Sequence, residues 1–273
     1  MQPATIRAVR LAIDTQSLAP TREELERHFD EKFRGKPDLG WGPKLRLQFG
    51  YFTPDDYYET LVGKLVTQNC EWADVGCGRY MFPSNPDLAR KLARRARYVF
   101  GVDPDDNICD NEFITEGFQG LIEDAPTTRT FDLVTLRMVV EHVAAPAAMV
   151  GKLAELTKSG GRVVVYTPNK WSPVSFVTRA VPYRLHHAPK RWLWGTEARD
   201  TFPVQFKLNT RKTLRAFFQT AGFAEILFAH LDDCRIFEKV RALKYLELSL
   251  QRLTSRLRIR YPENCLLAVY ERR

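Results

Sequence analysis

At 273 residues, with 44% hydrophobic and 27% charged side chains, the chain has the balance of a soluble globular protein that buries one sizeable core and carries an appendage. Its net charge of +8 is drawn from separate clusters. It suits an acidic substrate, a membrane surface, nucleic acid or simply solvated helix faces, without choosing among them. The 5 cysteines stand apart with no C-x-x-C pair, which argues against a zinc site, a redox pair and a disulfide framework. The first residues lack the apolar run of a signal peptide, and no stretch approaches the roughly 18 apolar residues of a spanning helix. A cytoplasmic protein with reduced thiols is expected.

In chain order, residues 1–53 read as a helical preface. "TREELERHFDEKF" opens on a capping-box pattern from Thr21 to Glu24. "PDLGWGP" is turn-rich and reads as a connector. "TPDDYYETLVGKLVTQ" then starts a helix with Thr53 as cap and Pro54 at its first position. From there apolar strands alternate with helices: "EWADVGC", "YVFGVD", "FDLVTLRM" and "RVVVYTP" are strands, "PDLARKLARRA" is a helix, and "PAAMVGKLAELTKSGG" is a helix ending in glycines. Continuous β-branched runs between helices predict a parallel sheet covered on both faces. Residues 169–206, rich in proline and tryptophan, break the pattern as an insertion. "NTRKTLRAFFQTAGF" and "AEILFAHL" resume it, a helical insert fills 232–262, and "CLLAVYER" is the last strand.

The turn after the first strand, "WADVGCGRY", has Asp74, Gly76 and Gly78 at dinucleotide-loop spacing, but the third glycine would fall at Met81. A pyrophosphate is poorly served by such a loop. S-adenosylmethionine, which has no phosphate, needs only a tight turn, exposed N–H groups and a nearby carboxylate. The second strand ends in Asp103, whose carboxylate can accept both hydroxyls of a ribose. Asp103 lies 27 residues after Gly76, against about 20 in dinucleotide folds, and "RYMFPSNP" accounts for the excess. The acidic run "DPDDNICDNE" fails as a calcium loop because Ile108 and Ile114 stand where glycine and glutamate are needed. Cys77 reads as packing within the turn and not as a nucleophile.

With "FDLVTLRMVVEHV" and "GGRVVVYTPN" added, the chain resembles the class I S-adenosylmethionine-dependent methyltransferases, and more closely their small-molecule branch of quinone-ring and glycan-associated O-methyltransferases. The resemblance implies a Rossmann-like α/β fold: a seven-stranded, mostly parallel sheet with helices on both faces and the last strand antiparallel. It makes 54–273 the methyltransferase domain, with 169–206 as its lid. It implies that Asp74, Gly76 and Gly78 hold the methionine end of S-adenosylmethionine, Asp103 the ribose, and Pro104 the adenine. Leu121 stands at the usual acidic position of the adenine-edge segment "GLIEDAP", so Ile122 packing and Glu123 or the backbone must substitute. Arg137, at the end of the fourth strand, completes the cofactor set.

For a hydroxyl nucleophile, a base within hydrogen-bond reach helps. His142 follows the fourth strand at the ligand-binding edge and reads as that base or as a structural histidine. Glu141 reads as a helix-start acid. Trp171, His186, His187 and Asp200 of the lid are candidates for binding the acceptor, as are Trp192 and Trp194. No [DN]-P-P-[FY] motif, Pro-Cys pair or aromatic-basic repeat occurs, which favours a small-molecule acceptor over nucleic acid. A nucleic-acid methyltransferase and a non-catalytic S-adenosylmethionine-binding scaffold remain the alternatives. Across 237–258, Val240, Leu243, Leu246, Leu250, Leu253 and Leu257 form one helical stripe with basic residues mostly off it. The stripe packs on the domain or across a homodimer, or it rests peripherally on the inner face of a membrane near a membrane-borne acceptor.

Overall fold

The computed structural model describes residues 18–34, 39–126, 128–173, 175–176, 203–257 and 262–273. Among them, three helices lead into the sheet. Helix α1 (Arg22–Phe33) starts at a closed capping box, with the Glu24 N–H donating to Thr21 Oγ1 at 3.2 Å and the Glu24 carboxylate accepting from the Thr21 N–H at 2.8 Å. Helix α2 (Trp41–Phe49) corrects the connector reading of "PDLGWGP": its second half is the helix's first turn. Gly40 turns the chain at φ +67°, and Pro43 lacks only an N–H that a first turn leaves unpaired anyway. Helix α3 (Pro54–Leu65) begins as expected, Thr53 capping the Asp56 N–H at 3.3 Å with Pro54 in the first turn.

Charges tie these helices together. Lys32 of α1 reaches Asp56 at 3.1 Å and Glu59 at 3.0 Å on α3, Arg46 of α2 reaches Asp56 at 3.0 Å, and His28 Nε2 lies 2.8 Å from Glu59. His28, Asp56 and Glu59 bring their ligand atoms within 4.8 Å of one another. The two cations already there make the cluster an ion-pair network and not a cation site.

The sheet is built from β1 (Glu71–Val75), β2 (Tyr98–Asp103), β3 (Glu116–Gln119), β4 (Phe131–Arg137), β5 (Thr157–Pro168), β6 (Phe223–Leu231) and β7 (Cys265–Arg272), in the order β3-β2-β1-β4-β5-β7-β6. Strand β7 runs antiparallel to β5 and β6, and the remaining pairs are parallel. This is the Rossmann-like architecture expected. Its edge strand β3 carries no sequence signature. "EGFQ" neither alternates nor runs apolar, and it becomes a strand by pairing with β2 from Phe100↔Glu116 to Asp103↔Gln119.

Strand pleating divides the core in two. Ala73 and Val75 of β1 face one cluster, filled by Met149 and Leu153 of α5 (Pro146–Leu156) and Leu214 and Phe218 of α6 (Arg211–Thr220). Trp72 faces the other, filled by Tyr58 and Leu61 of α3 and Ala89 and Leu92 of α4 (Pro86–Arg95). Helix α5 ends at Leu156 and not at the glycines, because Thr157 pairs with Phe131 and its hydroxyl caps the Leu153 carbonyl at 2.6 Å.

Helix α7 (Arg241–Arg256) forms within the expected insert, but its leucine stripe is not core. Lys244, Glu247 and Leu248 are its buried residues, whereas Leu243, Leu246, Leu250 and Leu253 are 41% to 64% exposed. Leu248 joins Leu45, Tyr51 and Cys234 in a small cluster, and the buried Lys244 ammonium donates to the Cys234 carbonyl. No described helix is long and apolar enough to cross a membrane.

Candidate functional site

Strand order reverses at β1, between β2 and β4, and the crevice outside their carboxyl ends is where an open α/β sheet takes a ligand. A cleft of about 700 Å³ opens there. The turn after β1 forms its floor. Gly76 and Gly78 have φ of +72° and +43°, a region that side chains disfavour. The Gly76 N–H donates to the Val102 carbonyl at 2.7 Å and the Gly78 N–H to Asp103 Oδ2 at 2.8 Å, which fixes the turn to the end of β2. Met81 and Phe82, further along the loop, are buried in the second core cluster, while Tyr80 is exposed. The missing third glycine thus falls where the loop packs as a plug.

Asp103 is 7% exposed, with Oδ1 accepting the Asp105 N–H at 2.9 Å. Burial raises its pKa, and the N–H groups of Asp105 and Gly78 partly offset this. Each carboxylate oxygen keeps acceptor capacity beyond these bonds. Asp103 and Pro104 line the cleft with Gly76, Leu121, Ile122 and Glu123. Met138, Val139, His142, Val143, Pro203 and Gln205 also line it.

Asp74 and Arg137 do not line the cleft. Asp74 sits beneath the turn, 4% exposed, with Oδ1 accepting from the Thr135 hydroxyl at 2.6 Å. Trp72 Nε1 donates to that same hydroxyl at 2.8 Å, and burial pushes the Asp74 carboxyl up to about 7. Arg137 donates to Asp55 at 2.9 Å, and Asp55 also pairs with Arg235. Burial alone would raise the Asp55 pKa; Arg235 and Arg137 reverse this and hold it at about 2. Arg235 in turn forks onto Asp233, with both bonds at 2.6 Å. It borders a smaller cavity of about 190 Å³ with Ser172, Ser175 and Asn264.

His142 Nδ1 lies 3.2 Å from the Pro203 carbonyl. A carbonyl only accepts, so Nδ1 carries the proton and Nε2 the lone pair a base requires. Nε2 is 3.9 Å from Glu141 Oε1. Glu141 is 4% exposed and accepts from the Thr167 hydroxyl at 2.9 Å; burial carries its carboxyl up to about 7. Its main-chain carbonyl accepts from the N–H groups of Gln205 and Phe206 at 2.6 and 3.1 Å, holding that segment at the cleft. The helix-start reading of Glu141 therefore fails, since α5 begins at Pro146.

Of the lid candidates, Trp171 is 72% exposed on the turn after β5, its N–H donating to Asn169 Oδ1 at 3.1 Å. His186, His187 and Asp200, with Trp192 and Trp194, lie outside the described residues. Sequence reasoning missed Val139, Pro203 and Gln205. Pro203 takes part through its carbonyl, which leaves no chemical mark in a sequence. The ion-paired Asp55 and Arg235 are also beyond local pattern.

A family model described as a methyltransferase domain matches residues 22–227. The ubiquinone biosynthesis O-methyltransferase of Neisseria meningitidis serogroup A is 34% identical over 151 residues, covering 50% of this chain and 57% of the relative. Its namesake from Rhodopseudomonas palustris strain BisB18 is 31% identical over 145 residues, covering 50% and 53%. The chain thus spans about half the length of the curated relatives it matches. Among solved structures, a Haloferax volcanii chain described as a methyltransferase, solved with the Trm112 methyltransferase activator, aligns with a TM-score of 0.50 at 14% identity, covering 85% of this chain and 93% of that one. That likeness is one of fold.

Proposed function

The chain belongs to the family of S-adenosylmethionine-dependent methyltransferases, and from that premise we propose that it methylates a hydroxyl group of a small-molecule acceptor. Bound S-adenosylmethionine supplies the electrophile, a methyl group on a sulfonium, which leaves the protein to align the nucleophile and take its proton. The residues present fit that cofactor. The turn at Gly76 leaves no room for a Cβ, which would stand 2.3 Å from Val139 Cγ2, and the buried Asp103 carboxylate has acceptor capacity for ribose hydroxyls.

In this reading the backbone of the Gly76–Gly78 turn meets the methionine end, Asp103 the ribose, and Pro104 and Ile122 the adenine, with Glu123 at its edge. Asp74 supports the turn from below through Thr135, and Arg137 supports the end of β4 through Asp55. His142 Nε2 accepts the proton of the acceptor hydroxyl as its oxygen attacks. Glu141, 3.9 Å away, offsets the imidazolium charge that results. The observation that carries the reading is the Nδ1 contact of His142 with the Pro203 carbonyl at the cleft, which selects the tautomer with its lone pair at Nε2. The relatives' names, which denote O-methyl transfer, agree with a hydroxyl acceptor.

The test is turnover of S-adenosylmethionine with panels of catechols and sugars. His142→Ala should lower kcat by about 10²–10⁴ while cofactor affinity stays within about twofold of wild type. A variant that keeps most of its turnover makes His142 structural. Wild-type protein that binds the cofactor yet releases no S-adenosylhomocysteine with any acceptor fits the non-catalytic scaffold instead.

A further inference from the structure

We propose that the outer face of α7 is a docking surface for an anionic lipid bilayer. Leu243, Leu246, Leu250, Leu253 and Leu257 are 41% to 64% exposed. At roughly 100° per residue they fall within an arc of about 80°. Val240, the residue before the helix, is 44% exposed as well. The opposite face is buried against the body of the protein: Lys244 and Glu247 form an ion pair there, Leu248 is fully buried, and Tyr245 at the margin meets Phe49 of α2 edge-on at 5.3 Å. The leucine face is therefore the outward one, and nothing among the described residues covers it.

The charges choose the occupant. Arg256 stands about 60° from the edge of the leucine arc, and Arg252 and Arg241 lie further round beside Tyr245, where the Arg252 guanidinium stands over the Phe49 ring at 5.8 Å. Over residues 237–257 the exposed charged side chains are Glu238, Lys239 and these three arginines, because Lys244 and Glu247 are both buried. Four exposed cations thus stand against one exposed acid. A second copy of this chain, paired through the leucines, would bring the same excess of cations and only one more exposed acid to oppose it. Lipid phosphates supply the missing negative charge, and the acyl boundary takes the leucines, as with an interfacial amphipathic helix. The chain reaches this helix from the carboxyl edge of the sheet, where Leu231 of β6 and Pro168 of β5 both pair with Cys265. That is the edge that bears the cleft.

The experiment is co-sedimentation of the full chain with vesicles of phosphatidylcholine alone or mixed with phosphatidylglycerol. Binding is expected with the mixed vesicles and should fade as salt shortens the screening length. Leu246→Glu with Leu250→Glu should lower the partition coefficient tenfold or more. Circular dichroism and melting temperature should not change, because both side chains already stand in solvent. Arg252→Glu and Arg256→Glu should each weaken binding by about fivefold or more, and only with the anionic vesicles. Wild-type protein left in the supernatant with anionic vesicles at low salt overturns the proposal. A lipid-free dimer by light scattering that the leucine double variant dissociates overturns it too, and assigns the face to a second copy.

Discussion

Gly76 and Val139 meet across the floor of the cleft so closely that residue 76 can carry no side chain: a Cβ there would stand 2.3 Å from Val139 Cγ2. The backbone at Gly76 also holds φ at +72°, so an added methyl is penalised twice, by strain and by overlap. Gly76→Ala should destabilise the protein by about 1–3 kcal/mol and weaken S-adenosylhomocysteine binding. In a Val139→Ala background the overlap disappears and the strain stays. The double variant should therefore recover part of the stability, measured by urea denaturation, and an additive pair would refute the contact.

Asp103 joins the turn to the position proposed above for the ribose. Its carboxylate accepts from the Gly78 and Asp105 N–H groups at 2.8 and 2.9 Å, so it arrives in the cleft already oriented. Asp103→Ala removes a charged acceptor, and with charge-assisted bonds at roughly 1.5–3 kcal/mol each, cofactor affinity should fall tenfold or more. Asp103→Asn keeps one acceptor oxygen and should fall between. Calorimetry that finds unchanged affinity in the alanine variant removes Asp103 from the cofactor site.

What the sequence discloses is what local chemistry marks. Thr21 and Thr53 announce their helices because a cap works within three residues, and β1, β2, β4 and β5 announce themselves as apolar runs. Strand β3 does not, because its strand character comes from its partner β2. Arg137 was placed by position alone; its partner Asp55 lies 82 residues away and Arg235 reaches that same Asp55 across 180. Contacts of that span leave no periodic trace. The stripe on α7 was legible as a stripe, but which face is buried was not. Lys244 reads as polar surface, and only its bond to the Cys234 carbonyl and its pairing with Glu247 make burial tolerable.

Asp74 gives the protein a pH signature. Burial raises its carboxyl from 3.8 to about 7, with no cation among the described residues in direct contact to lower it, although Thr135 and Arg137 offset part of the rise. A raised folded-state pKa means the stabilising contribution is fully present below the unfolded value and is lost as pH rises through about 7. With each tenfold change in proton affinity at about 1.4 kcal/mol, the loss is on the order of a few kcal/mol. Asp74→Asn keeps a neutral acceptor for the Thr135 hydroxyl and cannot ionise. Denaturation curves should show the variant gaining on wild type from about pH 4 to about pH 7 and levelling off above it. Curves that stay parallel would mean Asp74 is ionised at little cost.

Lys32 tests the helical preface. Its side chain is 5% exposed between Asp56 and Glu59, and without it Arg46 and His28 are left to face two buried carboxylates. Burial on its own would raise both carboxyl pKa values; Lys32 with Arg46 lowers that of Asp56, and His28 with Lys32 lowers that of Glu59. Breaking such a buried pair strands charge in the interior, so Lys32→Met should cost about 3–5 kcal/mol near neutral pH. Lys91 is the control: it meets Glu31 at 2.8 Å with both side chains 52% and 41% exposed, and an exposed pair of that kind contributes about 0–1 kcal/mol. The lowered carboxylates add stability that is present above their unfolded pKa and lost as pH falls through the folded one. The deficit of Lys32→Met should therefore shrink in acid, where stranded carboxylates protonate. Urea denaturation of both variants at neutral and acid pH decides it: if Lys32→Met costs no more than Lys91→Met, the network does not hold the preface to α3.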